Sequence, residues 1–450
     1  MMTRRTVLQA VVLSALASGC GRPAPAPSGG TGTPGASTSG DGITAGPSAT
    51  ELRLQLARAP LAADHTAGAA LFGAFAGSLL AEAMKRQKGN LIFSPWSITV
   101  AMGMNRAGAS GRTATQIDAA MHVPPTSPDL LAAAVNTASQ LLDSRNGRVV
   151  TELRQGDIAL RSANSTWAVR GVTWKRPFIE TLATCYGSGV RLTDFAGDPE
   201  GSRRDINAWV ADQTEGKIPE LVPSGSIDTD TLIALVNAVY FKAPWLEAFE
   251  RNFNETKDFT LADGTVKRAE MMRYPLYSGQ GRRGDGWRAC TNPYLGEKLA
   301  FTVVLPDRGR EADVQVWLSG VGITALLGGR GEELVDLTIP KFRFRTTVPL
   351  KEVLMALGIR DAFDPKGADY TGMAVGEQVC ISDALHQATI GIDEEGTEAT
   401  AATAILGGRG AGPIEALKIV LDRPFYVVIH DLETRVPLFV GHVADPTDVS

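Results

Sequence analysis

Residues 393–412 read DEEGTEATAATAILGGRGAG, with no large apolar side chain before Ile405, and no proline follows until Pro413. Such a run has nothing to contribute to a core, and chain entropy favours leaving it outside one. It is nevertheless bracketed by VCISDALHQATIGID and EALKIVLDRPF, both of which read as strands. A polar segment of this length inside a folded domain is expected to be functional rather than a plain connection. Its alanines and glutamates favour helix, while Thr397, Thr400 and Thr403 tolerate strand geometry. The run is therefore a loop able to become a strand.

The chain has 450 residues, 44% hydrophobic and 21% charged, enough apolar material for a large soluble core. One strong compositional break lies near the start. MMTRRTVLQAVVLSALASGC sets Arg4 and Arg5 before an apolar stretch from Val7 to Ala17 and small residues before Cys20. That stretch is too short to span a bilayer and is ordered as export signals are. TRRTVLQ resembles a twin-arginine signal, and ASGC resembles a lipobox with Ala17 where leucine is usual, so Cys20 is expected to be lipidated. Residues 1–20 are thus an export signal, residues 21–58 a Pro/Gly/Ser-rich flexible tether and residues 59–450 the folded domain. The protein is expected outside the cytoplasm, at the cell surface or beyond it. Net charge of −5 without a basic stripe argues against nucleic acid as partner. Cys185, Cys290 and Cys380 are odd in number and lack metal-type spacing, so buried thiols are expected for most of them.

Helical periodicity is clear in HTAGAALFGAFAGSLLAEAMKRQ, where Leu71, Phe75, Leu79 and Met84 share a face, and in SPDLLAAAVNTASQLLDS. Later segments such as TLIALVNAVYF, LAFTVVLP and LVDLTIPKFRFR read as strands, and a hairpin is expected around Leu432–Arg435. Helices first and strands later make an α+β pattern with antiparallel or mixed sheets. Catalytic chemistry is sparse. His65, His122, His386, His430 and His442 are scattered, GASG at 108–111 reads as a turn, and GQGRRG at 279–284 stands in a loop-like stretch with no helix behind it. No enzyme, metal or cofactor is expected. A dispersed serine working with His386 is the catalytic alternative.

NLIFSPWSITVAMGMNRAGASGRTATQI, INAWVADQTEGKIPELVPSGSIDTDTLIALVNAVYFKAPW, DEEGTEATAATA and RPFYVVIHDLETRVPLFVGHVADPT together, in that order, resemble serpins over about residues 60–448. The resemblance implies an α+β serpin fold, about nine helices around three β-sheets, with an exposed reactive-centre loop that inserts into the central sheet after a protease cuts it. The implied function is inhibition of serine proteases by suicide trapping, by a monomer. A non-inhibitory serpin acting as a binding or carrier protein is the alternative.

The loop hinge implied by the resemblance is Glu394, Gly396, Thr397, Glu398, Ala399, Thr400, Ala401, Ala402 and Thr403. In a strand, Thr397, Ala399, Ala401 and Thr403 would share one face, with Glu398 on the other, in water. About 14 inserted residues would carry the cut end about 46 Å. The family length places the residue before the scissile bond at Gly410 and a shift of one at Arg409. Arg409–Gly410 is preferred because arginine suits a trypsin-like pocket. Ile405 and Leu406 would suit elastase-like or subtilisin-like enzymes. The resemblance also assigns Ser94, Ser97, Asn237 and His386 to a polar shutter beneath the sheet, for which the plain alternative is a helix cap and a core histidine. It assigns Lys341, Glu394 and Trp245 to a breach where the loop enters, the ion pair expected to be surface-like. DLLAAAVNTASQLLD lacks Lys and Arg, so no heparin-like cofactor is expected.

Overall fold

The computed structural model describes residues 37–39, 42–46, 48–152, 154–329, 331–376, 378–398 and 416–448. A central sheet is built from β1 (Glu51–Leu52), β2 (Gln155–Val169), β3 (Val190–Thr193), β4 (Ile233–Pro244), β5 (Phe342–Val348), β6 (Ile381–Ile392) and β7 (Gly396–Thr397). Their order across the sheet is β5-β6-β7-β4-β2-β3-β1. A nine-stranded sheet and a small three-stranded one complete the β structure. Burial patterns explain these places. β5 alternates buried and exposed side chains along FRFRTTV, as an edge strand with one wet face does, whereas IALVNAVYFKAP of β4 is buried almost throughout.

Helices cover both faces of the sheet. α1 (Ala69–Arg86) and α2 (Pro95–Gly108) belong to the main core behind it, where Leu71, Phe75 and Leu79 are buried as their spacing predicts. In front, α4 (Pro199–Gln213) lays Ile206 and Val210 over Ala163, Trp167, Ala234 and Val236, a separate apolar layer. Trp209 meets Trp167 edge-on at 5.9 Å, and the Arg191 guanidinium stands 4.6 Å from the Trp209 ring. The sheet is thus enclosed without being fused to its cover.

Two expectations change, and the buried-thiol expectation holds. GQGRRG is not loop-like: its residues belong to the strand Val266–Gly284, paired across a tight turn with Trp287–Pro293. Residues 42–58 do not all form a free tether. Ile43, Leu52 and Leu54 are buried, β1 pairs with β3, and Arg58 donates to Asn136 of α3 (Leu130–Asp143) at 3.1 Å. Apolar residues scattered among small ones there found an open sheet edge to cover. The three cysteines are all free and buried, so no pair forms. The hairpin at Leu432–Arg435 stands as expected.

Burial of Ile43, Leu52 and Leu54, worth about 1.5–3 kcal/mol each, together with strand pairing at the sheet edge, holds the segment in place. A chain beginning at Leu56 should therefore melt several degrees below the full chain in differential scanning calorimetry. Equal midpoints would return the segment to a passive tether.

Candidate insertion site at the mouth of the central sheet

β6 ends at Ile392 and the chain reverses at once. The Asp393 carboxylate accepts from the Glu395 and Gly396 N–H groups at 2.9 and 3.2 Å, an Asx turn that starts a hairpin. β7 then runs back between two strands: Thr397 opposes Ile392 on one side and Ala243 on the other, while Gly396 opposes Pro244. A Cβ on Gly396 would lie 2.1 Å from the Ala243 carbonyl oxygen, so the approach admits only glycine. The loop's base is thus already a strand in the uncut chain.

Several groups hold it there. Thr397 is buried and shares a 2.5 Å hydrogen bond with the Tyr294 hydroxyl, and Tyr294 stacks on Trp245 at 4.8 Å. Trp245 donates from Nε1 to the Asp393 carbonyl at 2.9 Å and from its backbone to that of Glu395. Buried Arg154 donates to the Trp245 carbonyl at 2.9 Å and to Glu395 at 3.1 Å. Lys341 does pair with Glu394, at 2.6 Å, but the pair is not surface-like, since the Glu394 side chain is only 2% exposed. Burial alone would raise the Glu394 carboxyl; hydrogen bonds from Lys341 and Asn254 overcome it and hold the group below its ordinary range. Glu398 is not in water either: its side chain is 3% exposed, against Lys217 and Arg343.

Below the mouth, β4 and β6 pair directly and in parallel from Ile233 and Ile381 to Val239 and Ala388. Asn237 and His386 stand opposite each other in that stretch. The Ser94 N–H donates to His386 Nε2 at 3.0 Å, so Nδ1 carries the ring proton and donates a hydrogen bond to Asn237 Oδ1. Asn237 donates in turn to Asn164 Oδ1 at 2.7 Å, which also accepts from Ser97 Oγ at 2.5 Å. Ser94 additionally caps α2, its Oγ accepting from Ser97 N–H ahead of Pro95. Ser94 thus both caps the helix and joins the polar cluster around His386. Burial lowers His386 to about 3, and both ring nitrogens are engaged within the core, which leaves no route to a substrate and removes support for the catalytic alternative.

The sequence missed Asn164, Tyr294, Arg154, Lys217 and Arg343. SANST within a strand pattern was a usable sign of the first, since buried strand asparagines need partners. The others act across distances that no local pattern marks. Ala399, Thr400, Ala401, Ala402, Thr403, Arg409, Gly410 and Cys20 lie outside the described residues.

A sheet that closes over a buried polar cluster at one end and admits the base of a polar loop at the other defines a class of protein whose loop is an unfinished strand. The comparisons agree. Residues 71–446 match the family described as Serpin (serine protease inhibitor). Iris of Ixodes ricinus is 33% identical over 372 residues, 80% of this chain and 93% of its own length. The native-state structure of the thermophilic serpin tengpin superposes with a TM-score of 0.72 at 25% identity, covering 84% of this chain and 93% of that one. Thyroxine-binding globulin in complex with thyroxine gives 0.71 at 25% identity, covering 84% and 99%. The chain belongs to the serpin family, and its fold is the serpin fold.

Two outcomes follow from this geometry. Gly396→Ala should force β7 out of the mouth, and exchange of the Glu398 amide, which bonds the Gly391 carbonyl at 3.0 Å, should rise at least about tenfold; unchanged protection would mean the close approach relaxes freely. His386, lowered to about 3, and His442, lowered to about 4 by burial, bind protons when unfolded near the ordinary histidine pKa of about 6.5 but not when folded. Stability is therefore full above that pH and falls below it, by about 1.4 kcal/mol per pH unit for each histidine. Melting midpoints should drop below about pH 6.5, and His386→Gln should show a shallower drop.

Proposed function

We propose that the protein inhibits serine proteases by suicide trapping: the protease cuts the loop at Arg409–Gly410 and the freed strand completes the entry that Gly396–Thr397 begins. The register of β7 carries this reading. Each further residue would step one place back along both neighbours, so that Gly407 would meet Ile233 of β4 and Gly408 would meet Ile381 of β6. The insertable length therefore ends just before Arg409, and the cut end would move about 40 Å at roughly 3.3 Å per residue. In that register Thr403 falls opposite both His386 and Asn237. Its hydroxyl could accept the Nδ1 proton that Asn237 now takes, so the shutter re-pairs as the strands part.

Two ladders of backbone bonds would replace one. At about 1 kcal/mol net per bond, a dozen added bonds supply on the order of 10 kcal/mol, enough to drag an acyl-linked protease and distort its active site. The resting state is then held by kinetics. Gly396 and the small residues after Glu398 favour this over a carrier role, which the likeness to thyroxine-binding globulin keeps as the second reading. Arg409 points to a trypsin-like target of a monomeric inhibitor, and the leader ending at Cys20 to an exported, lipid-anchored protein.

Incubation with a trypsin-like protease should give an adduct that survives denaturation and release a fragment beginning at Gly410, with a raised melting midpoint for the nicked chain. Thr403→Arg should abolish the adduct while the loop is still cut, and Thr403→Ser should retain it. Cleavage of the wild type with no adduct and no gain in midpoint would favour the carrier.

A further inference from the structure

Glu398 lies in a row that crosses the sheet. Arg343 of β5 opposes Gly391 of β6, and Gly391 accepts the Glu398 amide. Where a Cβ on Gly391 would stand, Arg343 Cγ lies 3.4 Å and Glu398 Cγ 3.6 Å away, so the bare backbone lets the two side chains meet over it. Arg343 donates to Glu398 Oε1 at 3.2 Å, and Lys217 Nζ stands 3.1 Å from Oε2. On the other side, the register that sets Thr397 against Ala243 brings Lys242 next.

Lys217 belongs to the segment that leaves α4 and lies over the sheet. Glu215 in that segment pairs with Arg161 of β2 at 3.6 Å, and Lys217 is 5.7 Å from the Tyr240 ring of β4. Tyr240 is raised to about 12, by burial first and then by the nearby Glu398 and Glu215 carboxylates. Glu398 also has a left-handed backbone, φ +47°, which is unfavourable for a side chain of this kind. Its amide continues the strand while its own torsion turns the chain away.

We propose that Lys217 and Arg343 are positioning residues that seat the Glu398 carboxylate, holding the base of the loop, Gly396–Thr397, inside the sheet. The ion pairs meet the cost of opening the mouth in advance, and any extension of the strand past Thr397 would require the left-handed Glu398 torsion to become extended. The seating itself stands on geometry; its consequence for inhibition rests on the trapping function proposed above. Once the loop is cut, a seated hinge shortens the interval in which the acyl-enzyme can hydrolyse.

The test uses the full chain, with Glu398→Gln, the double variant Lys217→Ala/Arg343→Ala, and Arg343→Lys as the conservative control. Hydrogen exchange read by mass spectrometry should show the Thr397 and Glu398 amides about tenfold faster in the first two and near wild type in the third, with β4 from Ile233 to Val239 unaltered. Raising salt from about 0.05 M to about 0.5 M should weaken protection in the wild type and leave Glu398→Gln unmoved. Moles of inhibitor consumed per mole of adduct should rise at least twofold in the first two variants. Wild-type exchange in both variants overturns the seating, even if the wild type traps protease. If exchange responds as expected but no protease adduct forms with the wild type, the seating stands and the inhibitory function falls.

Discussion

β4 and β6 pair directly at one end and are wedged apart at the other, and the rest of the molecule is arranged around that fork. Parallel strands buried on both faces must satisfy every backbone group within the sheet. At the closed end they satisfy one another, with His386 and Asn237 joined across the seam. At the open end Gly396 and Thr397 supply the missing partners, and Arg154, Lys341 and Trp245 fasten the hairpin that brings them there. The position of the fork is therefore set by how far the loop has entered.

The same constraint explains why the polar cluster is buried. His386, Asn237, Ser94 and Ser97 within the core, with half-buried Asn164 at the cluster's edge, are tolerated because each finds a partner. The chain from Ser94 through His386 and Asn237 to Asn164 crosses from α2 through β6 and β4 to β2, three adjacent strands and a helix. It bonds the seam together without a covalent link or a large side chain, so a strand of small residues can replace it. Leucine or valine in these places would close the seam more firmly and leave an entering strand no bonds to exchange.

Much of this was legible beforehand. Apolar spacing gave α1, and the strand pattern of TLIALVNAVYF gave β4. In the structure Gly396 lies in β7 and Lys341 pairs with Glu394. Composition misled at both margins. Residues 42–58 look like linker, but a few apolar side chains suffice once an open strand edge is present, and that edge is a tertiary fact. Glu398 looks like a solvated residue, and on an isolated strand it would be. Its burial depends on Gly391 lacking a side chain, on Arg343 standing one strand over and on Lys217 arriving from the cover, none of which has a local signature. Short-range pattern reads what a segment prefers; the site is made from distant segments with no preference of their own.

If the loop is a strand-to-be, as proposed, the energy released on its insertion would be stored at the same fork. Cores on both faces are filled by buried apolar side chains, so general looseness is a poor account of metastability. Among the described residues, two buried polar atoms without a hydrogen-bond partner lie on β6 beside the opening: Gln387 Oε1 and Thr389 Oγ1. Each such orphan costs about 1–3 kcal/mol. In the register of β7, a completed strand would bring Thr400 opposite Thr389, a cross-strand hydroxyl pair of the kind that stabilises antiparallel sheets. On the trapping reading proposed above, those two orphans sit where an incoming strand would relieve them, which gives the sheet a direction in which to relax once the loop is cut.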